Sequence, residues 1–219
     1  MDYWIHLAAL SGGILTVMPL LMLVVLAVAI ERSWALAVLL HRGQRLDDDL
    51  ARADPQRENL LQILNAAPVG PQQAVLAACL ASQDGESGDA FAEEAMLRQA
   101  AALDRGLWIL DTAVTVAPLL GLLGTIIGMF HTFQLLGNNG APEAITGQVA
   151  EALVATAAGL LIAILGLVFF NALNQRVRLV LHQMETIKVA TLNRLYHPHG
   201  GLLRDAPQPM PARRQAQGR

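Results

Sequence analysis

The chain has 219 residues, of which 54% are hydrophobic and only 15% charged, with a net charge of −3. Soluble domains run about 45–50% apolar and about 25% charged. Something other than water must therefore cover the excess apolar surface, and the charge balance gives no ground for nucleic-acid binding. The single cysteine, Cys79, excludes an internal disulfide scaffold.

The elements follow in chain order. A bilayer core of about 30 Å takes about 20 apolar helical residues. Gly12 to Ile30 is uncharged and is closed by Glu31-Arg32, which predicts a first span. Ala27-Val28-Ala29 resembles a leader-cleavage site. However, no Lys or Arg precedes the run, and the run exceeds a usual signal core, so the segment reads as an anchor. A long loop from about Ala35 to Trp108 comes next. It carries a short helix over Glu58–Ala67, stopped before Pro68, and another over Gln72–Ser82, ended by Asp84-Gly85-Glu86-Ser87-Gly88. From Phe91 a helical pattern runs through Met96, Ala100 and Leu103, and the expectation is that it enters the second span unbroken past Gly106.

The second span covers Thr112 to Gly137, with His131 as its one ionisable group. Ala117, Gly121, Gly124, Thr125, Gly128 and Thr132 share one face, and Pro118 frees the carbonyl of Val114, which predicts a kink. The third span covers about Val149 to Leu173, with a small-residue stripe at Ala155, Gly159 and Gly166 beside Ala158 and Ala163. Small stripes let helices approach closely in lipid. Val177, Val180, Leu181, Met184, Ile187 and Leu195 continue the helix, so Ile145–Tyr196 should form one rod of about 75 Å. Pro198 and Gly200 end it, and the tail from Arg204 reads as disordered.

The predicted fold class is thus all-α, with three transmembrane helices and long extensions beyond the bilayer. The divisions are 1–36 for the N-terminus and first span, 37–107 for the helical loop, 108–176 for the paired second and third spans, 177–200 for the helix extension and 201–219 for the tail. All 15 Lys and Arg lie after the first span or after the third, and none lies before the first span or in the turn from Asn138 to Gln148. The positive-inside rule then puts the N-terminus outside and the loop and C-terminus in the cytoplasm.

Glu151 is the one carboxylate within an apolar span. Such groups usually face a cavity or partner and mark an ion path. The competing reading is an interfacial Glu stabilised by the start of its helix. Thr125 and Thr156 are the polar groups nearest to it, although Thr156 lies about 140° around the wheel from Glu151. Each Thr has the alternative of a bond back to its own helix. His131 reads as interfacial or packed, Asp111 as a mouth residue or a plain surface charge, Cys79 as packing, and His197-Pro-His199 as tail. No nucleotide loop, serine-nucleophile elbow or metal motif occurs, so neither an enzyme nor a cofactor is predicted.

The stretches APLLGLLGTIIGMFHTF (Ala117–Phe133), QVAEALVATAAGLLIAI (Gln148–Ile164) and FFNALNQRV (Phe169–Val177) resemble the ExbB/TolQ/MotA proton-channel family, and the Glu in the third span resembles its ExbB/TolQ branch. The resemblance implies a pentamer in the inner membrane of a Gram-negative bacterium. That pentamer would enclose an ExbD/TolR-like single-span partner, with a TonB-like or TolA-like third protein carrying force to the outer membrane. By the same resemblance Glu151 matches the pore glutamate, Thr125 and Thr156 the pore threonines, and Pro118, Gly121, Gly124 and Gly128 the glycine-rich span. Gln148 departs from a position where relatives often have Gly, which is expected to affect the helix start alone. TonB-like nutrient uptake, Tol-like envelope maintenance and a non-conducting scaffold remain open.

Overall fold

The computed structural model describes residues 14–54, 56–137 and 142–196. These residues form six helices and no strand: α1 (Ile14–Arg52), α2 (Arg57–Ala66), α3 (Pro71–Ala81), α4 (Gly85–Leu103), α5 (Leu107–Gly137) and α6 (Pro142–Tyr196). Three of them, α1, α5 and α6, are long and apolar enough to cross a membrane. The 55 residues of α6 make a rod of about 82 Å. The tail 201–219, His197, His199 and the turn residues 138–141 lie outside the described residues, as does the stretch before Ile14.

One seam organises the molecule. Along α6 the buried positions Ala152, Ala155, Gly159, Ile162, Gly166, Leu173, Val177, Val180, Met184, Ile187 and Thr191 follow one another at steps of mostly three and four residues. This spacing keeps one face of a helix against its neighbours. In the first half the face is small apart from Ile162 and meets α5 and α1. In the second half it is large and meets the extension of α1 together with α3 and α4.

The short helices form where local chemistry asks for them. Pro71 opens α3 at its first turn, where no backbone N–H is needed. Asp84 caps α4 by accepting from the Ser87 N–H at 2.7 Å. That amide and the Ser87 hydroxyl hold the Asp84 carboxyl below the usual carboxylate range. Polar side chains then tie helices to one another. Gln72 Nε2 donates to the Leu39 carbonyl and to Gln183 Oε1, both at 3.2 Å, and Gln183 Nε2 donates to the Leu40 carbonyl. Gly43 makes room for this crossing, because a Cβ there would overlap both glutamines.

Three expectations are corrected. First, α4 does not run into α5. Gly106 adopts φ +85° and breaks the rod between Leu103 and Leu107, with the Arg32 guanidinium packed over it. The apolar pattern continues across this point, but a glycine in the left-handed region turns the chain. Second, α1 does not end near residue 36. It continues to Arg52 because Leu36, Leu46 and Leu50 keep a buried stripe against α6, α3 and α2. Third, Gln148 does not affect a helix start, since α6 begins at Pro142. Pro118 lies inside α5 without ending it.

Candidate functional site

The site lies where α5 and α6 pass each other in the apolar half. Small residues set the distance between them. A Cβ at Gly159 would stand 2.5 Å from the Ala117 carbonyl oxygen and 3.2 Å from Gly121 Cα. A Cβ at Gly121 would meet the Ala155 carbonyl and Thr156 Cα, both at 3.0 Å, and one at Gly128 would meet Ala152 Cβ at 2.7 Å. Ala117 and Gly124 are buried on the same face of α5. Gly166 packs against Val114 one turn before Pro118. The glycine stripes of the two spans are thus partners of each other within one chain.

Close approach brings Thr156 to the backbone of the other helix. Its Oγ1 donates to the Gly121 carbonyl at 2.9 Å, across the interface and not back along α6. Thr125 keeps the local pattern, donating to Leu122 O at 2.7 Å. The two hydroxyl oxygens are 3.2 Å apart. Each hydroxyl has one proton and two lone pairs, so either can turn from its carbonyl to its neighbour. Beside Thr125 an open apolar groove of about 410 Å³ is lined by Ile126, Met129, Phe130 and Phe133.

Glu151 stands on the opposite flank of the seam from Thr156, and no hydrogen bond joins it to either threonine. It is half-buried, about two and a half turns inside α6. A helix terminus acts within its first turn, so the start of α6 is too far away to stabilise this charge. The Glu151 Oε1 atom is buried without a donor among the described residues, and Gln148 Oε1, one turn earlier, is in the same condition. Sequence reasoning noted Gln148 only as a departure expected to act on the helix start; the further signal was an amide at helical spacing from the carboxylate.

The remaining candidates have ordinary surroundings. His131 is half-buried with its ring edge-on to Phe130. Asp111 is exposed near the start of α5, and Cys79 is fully buried in the core. Among the described residues no group of three or more His, Cys, Asp or Glu could hold a metal.

A helical membrane protein with three apolar spans, a tight α5–α6 pair and a carboxyl inside it is the class these features define. The MotA/TolQ/ExbB proton channel family model matches residues 49–186. "Putative biopolymer transport protein ExbB-like 3" of Synechocystis sp. is 34% identical over 199 residues, covering 86% of this chain and 94% of that one. "Biopolymer transport protein ExbB" of Neisseria gonorrhoeae is 35% identical over 86 residues, covering 38% of this chain and 39% of its own length. A chain in a structure of C. jejuni MotAB shares the fold, with a TM-score of 0.55 at 18% identity over 81% of this chain and 74% of that one. The chain belongs to the MotA/TolQ/ExbB proton channel family, on its ExbB-like side. Members are channel and transport subunits, not enzymes.

Proposed function

We propose that this protein is the proton-conducting subunit of an inner-membrane motor that uses the proton motive force to energise TonB-dependent transport across the outer membrane. Glu151 carries the ion through the apolar half, and Thr125 and Thr156 line its route. Pro118, Gly121, Gly124, Gly128 and Gly159 keep the helices close enough for that route to exist. The observation that carries this reading is the position of Glu151, about two and a half turns inside α6 of a proton-channel family member, with a buried oxygen that no group among the described residues satisfies. One charge crossing 100 mV is worth about 2.3 kcal/mol, enough for a few ions to drive a conformational step.

The complete charge asymmetry supports an N-out, C-in orientation, with the bundle of α2, α3 and α4 in the cytoplasm. The working assembly is a homo-oligomer, a pentamer by family likeness, around an ExbD/TolR-like single-span protein, with a TonB/TolA-like protein as the output. Native mass spectrometry of the tagged protein, purified in mild detergent from its own host, tests the assembly. A multimer carrying a small single-span protein with a membrane Asp is expected, and a co-purifying third protein identifies the pathway. A monomer or dimer without such a partner, reproduced in several detergents, contradicts the reading.

A further inference from the structure

Two oxygen atoms on α6 stand out among the polar groups of the apolar half. Glu151 Oε1 and Gln148 Oε1 are both buried, and neither has a hydrogen-bond donor among the described residues. The residues are three apart in an uninterrupted helix, so their side chains share a face with Cβ atoms about 5–6 Å apart. Both sit at the level of Gly128 on α5. A Cβ on Gly128 would be 3.8 Å from the Gln148 backbone carbonyl and 2.7 Å from the Cβ of Ala152, the residue after Glu151.

The helix facing them does not supply the missing donor. Gly128 has no side chain, and Thr132 gives its one proton to the Gly128 carbonyl at 2.9 Å. Thr125 and Thr156 give theirs to Leu122 O and Gly121 O. The other titratable groups are few: α6 carries Glu143 in its first turn, α5 offers His131, about one turn beyond Gly128, and Asp111 far along the helix, and α1 offers none before Glu31. A carboxylate oxygen and an amide oxygen only accept hydrogen bonds, and leaving two buried acceptors unmade one helical turn apart is costly. A hard cation is a poor solution, because it takes six or more oxygens and one helical turn offers two. A single proton between them satisfies both.

We propose that Gln148 is the positioning residue for the loaded state of Glu151: its side-chain carbonyl accepts a hydrogen bond from the neutral carboxyl. The inference rests on the reading of Glu151 as the proton carrier. On loading, a proton adds to Glu151 Oε1 and the O–H···O bond to Gln148 forms. On release, that proton leaves Oε1 and the bond is lost, with no other bond changed. The bond also gives direction. It draws the loaded carboxyl toward the Pro142 end of α6 and away from the Thr125–Thr156 pair, about one and a half turns further in.

Infrared spectroscopy tests this on the full chain, purified with its native complex and reconstituted in lipid vesicles. The acid carbonyl stretch of Glu151 is assigned by its loss in Glu151→Gln. In the unaltered protein the band lies at the lower frequency of a hydrogen-bonded acid. Gln148→Met keeps the length of the side chain and removes the acceptor, so the band moves to higher frequency. Gln148→Asn keeps a carbonyl and holds the band closer to its original place. An unmoved band in Gln148→Met overturns the inference, and so does the absence of any Glu151-dependent acid band across the accessible pH range. Proton flux on the same vesicles separates the two readings. Full flux through Glu151→Gln sinks the carrier role, whereas the band position reports on Gln148 alone.

Discussion

The two halves of α6 solve the same packing problem with opposite residues. Along one seam, Ala152, Ala155, Gly159 and Gly166, with Ile162 as the one large exception, face the neighbouring helices in the apolar half, and Val177, Val180, Met184 and Ile187 face them in the polar half. In lipid, burying a leucine gives no hydrophobic advantage, because the surrounding tails are equally apolar. Backbones that approach closely and share van der Waals contact do better, and the large residues are left outside: Leu153, Leu161 and Ile164 are all exposed on the protein surface. In water the same leucine contributes about 1.5–3 kcal/mol on burial. The polar half therefore fills its seam, with Leu46, Leu50, Leu60, Leu76 and Leu80 gathered around Ile187. It also adds side-chain bonds to part-buried backbone carbonyls, as Gln72 and Gln183 do on α1.

Truncating large residues separates the halves most strongly. Leu76→Ala in the polar half costs about 2–5 kcal/mol, which raises the population of the opened bundle at least about thirtyfold. Cys79 reports it directly. Burial pushes its thiol up to about 12, against the pull of Lys188, so it reacts with thiol reagents only when the bundle opens. Labelling of Cys79 should accelerate accordingly in Leu76→Ala. Leu161→Ala in the apolar half should stay within about 0.5 kcal/mol by thermal unfolding in detergent. Equal losses at the two sites would break the comparison.

Enlarging small residues reverses the ranking. Gly159→Ala pushes a methyl into the Ala117 carbonyl and should cost about 1–3 kcal/mol, read as a lower melting temperature. Gly147→Ala meets nothing within 4 Å and should be neutral or stabilising by up to about 1 kcal/mol. Gly106→Ala, at the break between α4 and α5, forces a side chain into the left-handed region and should cost about 1–2 kcal/mol by the same measurement.

The smallest effect is electrostatic and belongs to the polar half alone. Lys188 Nζ lies 3.2 Å from Asp89 and 3.3 Å from Glu185. Desolvation pulls its pKa down, but bonds to the two carboxylates outweigh it and hold the ammonium above the usual 10.5. A raised folded-state pKa stabilises the protein below the unfolded value, and the contribution disappears as pH rises through the higher folded one. Melting temperature against pH should therefore show this loss only in the alkaline range above 10.5. Asp89→Asn should remove about 0–1 kcal/mol of it at neutral pH.

Much of this was legible in the residues. Apolar run lengths marked the three long helices, and Pro68 marked the end of α2; Asp84-Gly85-Glu86-Ser87-Gly88, expected as a turn before a helix from Phe91, instead caps and opens α4, because the Asp84 side chain satisfies the Ser87 amide. The stripe Val177, Val180, Met184, Ile187 named the buried face of the α6 extension. The break at Gly106 was hidden because the apolar pattern crosses it, and a single glycine is equally compatible with a continuing helix. The length of α1 was hidden for the opposite reason: charges after Ile30 end a span but not a helix. At the site, the type of residue was visible and the register was not. That Thr156 bonds to Gly121 and not to its own helix depends on how far α5 slides along α6, which no single segment specifies. The orphaned oxygen of Gln148 depends on the same register.

Proton flux into vesicles reconstituted with the complex purified from its own host bears most directly on the role of Glu151. The unaltered complex should pass protons under an imposed membrane potential, Glu151→Asp should retain part of that flux, and Glu151→Ala should abolish it while the complex stays assembled. Flux through an intact Glu151→Ala complex equal to that of the unaltered one would contradict the proton-carrying role and leave the tight α5–α6 pair as helix packing alone.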